Sequence, residues 1–203
     1  GQWLLLASDS EHLAWFGLND CARKQARLTV QQLQQQGLTV QMLTGDSSAA
    51  VQHIATGLAI DAVISGVSPA QKLQHIQQLQ KNGAQVIMVG DGINDIPVLA
   101  GAQTSIAMGS ATDLAKTNAD AVLISSDLQR LPQAIQLARK SQSIIRQNLG
   151  WAILYNLIAL PLAATGMIAP YMAAIGMSAS SLVVVGNALR LSKLGRQNRV
   201  ESP

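Results

Sequence analysis

The sequence predicts an α/β domain, in which a parallel sheet carries helices on both faces, followed by a two-helix transmembrane hairpin. Short apolar segments alternate with helical patterns over the first 126 residues, as in chains that form such sheets. Residues 147–189, 43 in all, then contain no Asp, Glu, Lys, Arg or His. Charged residues are 12% of the chain, about half the usual share. We therefore expect part of the apolar surface to face lipid.

The elements of the α/β part follow from apolar periodicity. The opening stretch predicts two short strands, at 3–7 and 13–18, which belong to a domain whose remainder is missing. Further strands are predicted at 38–43, 62–64, 85–89, 105–108 and 121–124, and helices at about 23–36, 47–58, 69–82, 93–101 and 110–118. A long helix from about residue 127 leads into the uncharged run. Two Gln-rich segments, 31–36 and 71–80, keep a helical apolar stripe, so ordinary helices with polar outer faces are favoured over low complexity.

The uncharged run is long enough for two membrane spans. A bilayer core takes about 20 helical residues, and Gly166 and Pro170 supply a break between two helices. Basic residues flank both ends of the run, which favours a cytoplasmic location for both; they are Arg139, Lys140 and Arg146 before it and Arg190, Lys193, Arg196 and Arg199 after it. A buried helical hairpin in a soluble protein is the alternative, but such hairpins rarely run so long without a charge.

A glycine- and aspartate-rich turn follows the strand at 85–89. Ligands bind at the carboxyl ends of strands in an open parallel sheet. Gly90 and Gly92 permit a tight turn, while Asp91 and Asp95 offer the hard oxygen ligands that Mg²⁺ prefers. Taken alone, such a turn is more often a plain loop with a helix cap.

Two further groups are expected at the same edge of the sheet. Thr44-Gly45-Asp46 ends a strand, where a hydroxyl and backbone amides can reach a phosphoryl group, and Lys72 lies near the start of a helix, where a cation can neutralise phosphoryl oxygens. Taken alone, Thr44 is a cap and Lys72 a solvated surface lysine. In this order and at strand ends, the three groups together form a pattern that resembles a known family.

These motifs resemble those of the haloacid dehalogenase-like phosphotransferases and, more narrowly, the phosphorylation domain of P-type ATPases. The likeness rests on Thr44-Gly45-Asp46, Pro69 with Lys72, Gly90-Asp91-Gly92-Ile93-Asn94-Asp95 with Pro97 and Leu99, and downstream Ile106-Ala107-Met108-Gly109, Thr112-Asp113 and Ala119-Asp120. The resemblance implies catalytic roles for Thr44, Gly45, Asp46 and Lys72, Mg²⁺ binding by Asp91 and Asp95, and ordering of the phosphoryl site by Gly90, Gly92 and Asn94. It also implies ATP as substrate and Mg²⁺ as cofactor.

The sequence departs from the family pattern in several places. Ser47, Gln71 and Thr104-Ser105 replace residues that are common in the family, but no charged catalytic group is lost. The phosphorylated Asp-Lys-Thr-Gly-Thr motif does not occur in the sequence. We therefore expect that this chain alone does not run the phosphorylation cycle, and that its partners include the actuator domain, the nucleotide-binding domain and the earlier transmembrane helices of the same pump.

The two predicted spans resemble the last two of copper(I)- and silver(I)-transporting P-type ATPases. The first carries Asn148, Tyr155-Asn156 and Pro161, and the second Met177, Ser180-Ser181 and Asn187. The resemblance implies an ion path that includes Tyr155, Asn156, Met177 and Ser181. A soft monovalent ion suits a thioether ligand and needs no buried carboxylate. The lysine and acidic residue of zinc-type pumps are absent from these spans. Each of these residues also has a packing interpretation, and the choice of copper or silver stays open.

The resemblance divides the chain into six parts. They are the end of a nucleotide-binding domain or its linker (1–18), a phosphorylation domain without its nucleophile strand (19–126), a connecting helix (127–146), transmembrane helices (147–166 and 169–190) and a basic cytoplasmic tail (191–203). The expected protein is multi-pass, with the phosphorylation domain and carboxy terminus cytoplasmic. Expected partners are the lipid bilayer and a copper chaperone.

Three alternatives remain beside the copper pump. They are a soluble haloacid dehalogenase-like phosphatase, another heavy-metal P-type ATPase, and a membrane fragment that regulates without catalysing. Nucleic-acid binding is disfavoured, because the net charge is only +3 and the basic residues do not interleave with aromatic ones. The single cysteine, Cys21, cannot form an internal disulfide, and a packing role is expected for it.

Overall fold

The computed structural model describes residues 2–8, 11–18, 22–23, 25–125 and 127–200. It divides into two compact units, residues 1–132 and 133–203. Cys21 lies outside the described residues, so its expected packing role stays a prediction.

The first unit opens with an antiparallel pair of strands, β1 (Gln2–Ala7) and β2 (His12–Leu18). Leu4 pairs with Phe16 and Leu5 with Trp15, and the register shifts between Leu6 and Ala7. Both predicted strands are confirmed, each with one more residue at its start. Large apolar side chains on both strands, among them Leu4, Trp15 and Phe16, are exposed.

A parallel pair of strands with two helices follows: α1 (Ala26–Gln35), β3 (Gln41–Leu43), α2 (Ala49–Leu58) and β4 (Ala62–Ile64). The prediction that β3 begins at Leu38 is wrong. Gly37 has a φ of 77° and the N–H of Leu38 donates to the carbonyl of Leu33 (3.1 Å), so these residues close the end of α1. Helix α2 ends on Ala59, a non-glycine residue with a left-handed φ of 55°, whose carbonyl accepts from Nε2 of Gln34 (2.8 Å).

The second group of parallel strands contains β5 (Ile87–Gly90), β6 (Thr104–Met108) and β7 (Ala121–Leu123), with β6 in the middle. Helices α3 (Pro69–Lys81), α4 (Ile96–Gly101) and α5 (Asp113–Thr117) connect or cover these strands. The predicted helix at 93–101 is instead a 3₁₀ turn, Ile93–Asp95, followed by α4. Pro97 has no N–H, so it cannot extend the α-helical bonding back to Ile93.

The core of the first unit lies between α4, α5 and the β5–β6–β7 sheet. Its buried members are Leu99, Ala107, Met108, Ala111 and Ala115, with Met88, Val89, Ile96, Ala119, Leu123 and Leu128 packed against them. Because this sheet and the β3–β4 pair are both parallel and connected through helices, the predicted α/β fold with a parallel sheet is confirmed.

Two long helices follow, α6 (Arg130–Ala164) and α7 (Pro170–Val200). The predicted break is confirmed, with Gly166 at a φ of 74°. Within the described residues, one helix segment is long and apolar enough to cross a membrane, Ala174–Ser192 in α7. In α6 the uncharged run includes Gln147, Asn148 and Asn156, which lower its hydropathy.

Candidate functional site

The loop after β3 is bonded to the connection that leads into α3. The N–H of Thr44 donates to the carbonyl of Ile64 (2.9 Å), and the N–H of Val67 donates to the carbonyl of Thr44 (3.1 Å). The hydroxyl of Thr44 accepts from the N–H of Asp46 (3.1 Å). The O–H of Thr44 can still donate a hydrogen bond of its own.

The carboxylate of Asp46 has a local role. It accepts from the backbone N–H of Ser48 (2.7 Å) and from the Ser48 hydroxyl (2.9 Å). These bonds fold the chain back immediately before α2. Asp46 was expected among the catalytic residues, and in the structure its oxygens shape the loop that carries Thr44 and Gly45.

The start of α3 is built around a capping box. The hydroxyl of Ser68 accepts from the N–H of Gln71 (3.3 Å), and Oε1 of Gln71 accepts from the N–H of Ser68 (2.8 Å), with Pro69 at the first helical position. Sequence reasoning treated Gln71 only as a departure from the family pattern. The Ser68-Pro69-Ala70-Gln71 spacing is nevertheless the signal of such a box. The cap orders the turn that presents Lys72.

Lys72 joins the α3 start to the glycine- and aspartate-rich turn. Its Nζ lies 2.8 Å from Oδ1 of Asp95, and the two side chains are only 12% and 16% exposed. The ion pair bridges residues that are 23 positions apart in the sequence. Because Thr44 is bonded to Val67 and Lys72 to Asp95, the short connection between β4 and α3 links the two strand-end loops.

Gly90 makes room for the carboxyl of Asp95. A Cβ on Gly90 would lie 3.2 Å from Cβ and 3.3 Å from Oδ2 of Asp95, tighter than ordinary contacts. At Gly92 the nearest approach is 3.8 Å, so this second glycine is less constrained by packing. A side chain at position 90 would therefore push against the Asp95 carboxyl that pairs with Lys72.

Asp91 and Asn94 are exposed on this turn. No group of three or more His, Cys, Asp or Glu side chains that could hold a metal occurs among the described residues. Mg²⁺ is commonly held by one or two carboxylates, with phosphate oxygens and water completing the shell. Asp91, at the exposed carboxyl end of β5, fits that description, whereas one oxygen of Asp95 is already engaged by Lys72.

The α6–α7 hairpin is held by a line of contacts, which we call the seam. Asn187 donates through Nδ2 to Oδ1 of Asn148 (2.9 Å), and Nε1 of Trp151 donates to Oγ of Ser180 (3.0 Å). One turn beyond Trp151, Tyr155 lies against Gly176. Polar and small residues thus make the helix–helix contact.

The four predicted ion-path residues are placed differently with respect to the seam. Tyr155 lies on it, half-buried. Asn156 and Ser181 are exposed, and Met177 is 65% exposed. Ser181 donates its hydroxyl to the carbonyl of Met177 (3.1 Å), one turn earlier on the same face of α7. Of these four residues, Tyr155 alone lies between the helices of the described hairpin, and the other three face outward.

Comparison with known proteins agrees with this geometry. The family model of haloacid dehalogenase-like hydrolases matches residues 5–103. The chain is 41% identical over 191 residues to a copper-exporting P-type ATPase of Staphylococcus haemolyticus, covering 94% of the chain and 24% of that protein. It is 40% identical over 194 residues to the nitrogen fixation protein FixI of Rhizobium leguminosarum bv. viciae, covering 96% of the chain and 26% of that protein.

A solved structure extends the likeness to the fold. The crystal structure of a zinc-transporting PIB-type ATPase in its E2.Pi state matches with a TM-score of 0.82 and 35% identity, over 92% of this chain and 31% of that one. The chain spans about a quarter of the length of the curated relatives it matches. The match continues through both the α/β unit and the hairpin, which confirms the predicted fold and family. The chain therefore belongs to the heavy-metal P-type ATPase family.

Proposed function

We propose that the chain is part of an ATP-driven pump that couples formation and hydrolysis of an aspartyl phosphate to the transport of copper(I) across a membrane. The observation that carries the proposal is the Lys72–Asp95 ion pair, because it brings two separate phosphoryl-transfer motifs to one place. The similarity to a copper-exporting ATPase over 94% of the chain supports the same function.

Residues 19–126 are, in this proposal, a phosphorylation domain that receives its nucleophile strand from elsewhere in the pump. Among the described residues, β3 pairs with β4 and β5 pairs with β6, while β3 and β5 are not paired with each other. A strand carrying the phosphorylated Asp would complete the sheet beside these two strands. Residues 1–18 then belong to the nucleotide-binding domain or its linker, and 127–146 connect to the spans at 147–166 and 169–190. Residues 191–203 form the cytoplasmic tail.

The residues of the first unit would orient and neutralise the phosphoryl group. Asp91 would hold Mg²⁺, which when bound reduces the negative charge of the phosphate oxygens. Lys72, held by Asp95, would direct its ammonium group at the phosphoryl oxygens, where a cation stabilises charge that spreads in the transition state. The hydroxyl of Thr44 would donate to a phosphoryl oxygen, and Gly45 gives that oxygen access to the backbone. Asn94 and Gly92 order the opposite side of the turn.

The hairpin would supply part of the ion path. Asn156, Met177 and Ser181 face away from α6–α7 packing, so earlier transmembrane helices of the pump would complete the site. The zinc-transporting structure raises zinc as a second candidate ion. Residues 147–189 contain no carboxylate or lysine, and a neutral site with a thioether favours a soft monovalent ion.

The pump would lie in the lipid bilayer as a multi-pass protein. Its phosphorylation domain and carboxy terminus would be cytoplasmic, as the flanking basic residues favour. The rest of the pump is the principal partner, and a copper chaperone is a further one. A soluble phosphatase is less well supported, because the similarity to ATPases continues through the hairpin.

The test uses the complete purified pump with ATP labelled in its γ-phosphate. Copper(I) should stimulate turnover, and Asp91→Asn should lower turnover by about 100-fold or more, because a carboxylate ligand of Mg²⁺ is lost. Asp113→Asn is the matched control, since Asp113 is fully exposed and makes only a 3.8 Å surface pair with Lys116. Near-normal turnover of Asp91→Asn at ordinary Mg²⁺ would exclude the assignment of Asp91.

The ion is tested by a matched pair of methionine variants. Met177→Leu keeps the side-chain volume nearly constant and removes the sulfur, so copper(I) stimulation and bound copper should fall. Met167→Leu changes an exposed methionine near the turn between the helices and should leave both unchanged. If the two variants behave alike, Met177 is a packing residue. If zinc and not copper(I) stimulates the unmodified pump, the ion assignment is wrong.

A further inference from the structure

Tyr155 of α6 packs closely against Gly176 of α7 on the seam. A Cβ built on Gly176 would lie 2.8 Å from the Tyr155 hydroxyl oxygen and 3.6 Å from Cζ and Cε2 of the ring. Real Cβ atoms essentially never come within 3.0 Å of such an atom, whereas 3.6 Å is ordinary contact. The absent side chain of Gly176 therefore leaves the space that the Tyr155 hydroxyl occupies.

The other seam contacts limit how far the two helices can separate to make room for a larger side chain at position 176. Trp151 lies one turn before Tyr155 and donates to Ser180, which lies one turn after Gly176. Farther along, Asn187 donates to Asn148 (2.9 Å) and to Gln147 (3.2 Å), and its own Oδ1 accepts from Arg190 (3.0 Å). These bonds hold the register of the two helices, so a side chain at position 176 has to displace the phenol ring itself.

The neighbours of this contact are two of the proposed ion-path residues. Asn156 follows Tyr155 directly, and Met177 follows Gly176 directly. The rotation of each helix about its axis at the Tyr155–Gly176 contact therefore decides where Asn156 and Met177 point. Because the seam bonds hold the register of the helices, a side chain at position 176 would displace the Tyr155 hydroxyl, which is itself one of the proposed ion-path groups.

We propose that Gly176 is a positioning residue, which sets the orientation of the Tyr155 hydroxyl and thereby the geometry of the copper(I) path. The inference has two halves, the effect on the Tyr155 hydroxyl and the effect on the ion path. The second half rests on the proposed transport function. The first half concerns packing alone. The two halves can be tested separately.

The packing half is tested by fluorine NMR of the complete pump labelled with 3-fluorotyrosine. The Tyr155 resonance is identified by its loss in Tyr155→Phe. Gly176→Ala should shift that resonance. Gly186→Ala on α7 and Gly150→Ala on α6 are the controls, because a Cβ at either position meets nothing within 4 Å. A Tyr155 resonance that stays in place in Gly176→Ala, or moves equally in the controls, overturns the proposal.

The ion half is tested by the copper(I) concentration that gives half-maximal ATPase activity. Gly176→Ala should raise it by roughly tenfold, a typical coupling between residues in contact, while Gly186→Ala should leave it unchanged. In a Tyr155→Phe background the further effect of Gly176→Ala should nearly vanish, because the atom that the Cβ meets most closely is gone. An equal effect in both backgrounds shows a general loss of helix packing and overturns the positioning role.

Failure of copper(I) to stimulate the unmodified pump would refute the proposed function, and the fluorine resonance would still decide the packing half.

Discussion

The α/β unit and the helical hairpin bury opposite kinds of side chain. In the first unit Leu99 and Val98 are fully buried and Ile76 is 2% exposed. In the hairpin the large apolar residues face outward, with Leu182 at 72% and Ile175 at 66% exposure, while the contact between the helices uses Asn148, Asn187, Ser180 and Gly176. Apolar burial stabilises a fold only where water is the alternative, so the two regions have sequences suited to different surroundings.

The same contrast applies to the functional residues. In the first unit Lys72 is tied to Asp95, and the loop of Thr44 is tied to Val67 by backbone bonds. In the hairpin Asn156, Met177 and Ser181 remain on the outer surface. The contacts of the candidate site in the α/β unit lie within this chain, whereas the proposed ion path would need side chains from other parts of the proposed pump.

The largest expected difference in stability concerns two leucines that are alike in size. Leu99→Ala removes a buried side chain and should destabilise the α/β unit by about 2–5 kcal/mol, whereas Leu182→Ala, at an exposed position, should change stability by less than about 0.5 kcal/mol. Denaturant unfolding of the detergent-solubilised protein, with hydrogen exchange of β5 and β6 as the local probe, measures both. Equal losses in the two variants would show that the outward face of α7 is a packed core after all.

A smaller effect is expected from the seam. Asn187→Ala removes the carboxamide that bonds Asn148, Gln147 and Arg190, and such interhelical bonds contribute about 0.5–1.5 kcal/mol in membranes. Ser178→Ala is the control, because the Ser178 hydroxyl donates only to Ala174 of its own helix (3.1 Å). Unfolding of the hairpin in detergent, followed by the fluorescence of Trp151, gives the comparison. If both variants unfold alike, the polar seam does not hold the helices together.

The smallest effect is a pH dependence in the first unit. Hydrogen bonds to Asp120 from the backbone N–H of Ser105 (2.8 Å) and from the Ser105 hydroxyl (2.9 Å) lower the pKa of the carboxyl below its ordinary value of 3.8. The folded state therefore gains stability from the ionised form above the unfolded-state pKa, and this contribution is lost as pH falls through the lowered folded-state pKa. Asp120→Asn should unfold more easily than the unmodified protein near neutral pH, and the difference should shrink in acid. A difference that does not vary with pH, or one that Asp113→Asn reproduces, would contradict this role.

Local patterns in the sequence predicted much of the fold and part of the site. The glycine- and aspartate-rich turn after β5 and the helix break at Gly166 depend on residues next to one another, so both could be recognised from the sequence. The Lys72–Asp95 pair could not, because the sequence places Lys72 near the start of a helix and Asp95 in the turn after a strand without giving the distance across 23 positions. The start of β3 was misplaced because Leu38 is apolar, yet its N–H closes helix α1.

The hairpin shows a second feature that the sequence alone does not reveal. Gly176 and Met177 are neighbours in an uncharged helix with few polar residues, and no amphipathic stripe indicates which of them faces α6. In the structure Gly176 lies against Tyr155, a contact that the sequence does not indicate. Which face of such a helix is inward depends on a partner helix and is not encoded by local periodicity.

The left-handed conformation of Ala59 at the end of α2 indicates a position at which this protein can be stabilised. A left-handed conformation costs an alanine about 1–2 kcal/mol relative to a right-handed one, and glycine avoids most of that cost while making the unfolded chain more flexible. The bond from Gln34 to the Ala59 carbonyl holds this strained residue in place. The chain therefore retains an avoidable strain at a position that is not one of the proposed phosphoryl-site residues. Ala59→Gly should therefore give a more stable protein for purification and crystallisation. Stabilising substitutions of this kind are commonly available in natural sequences.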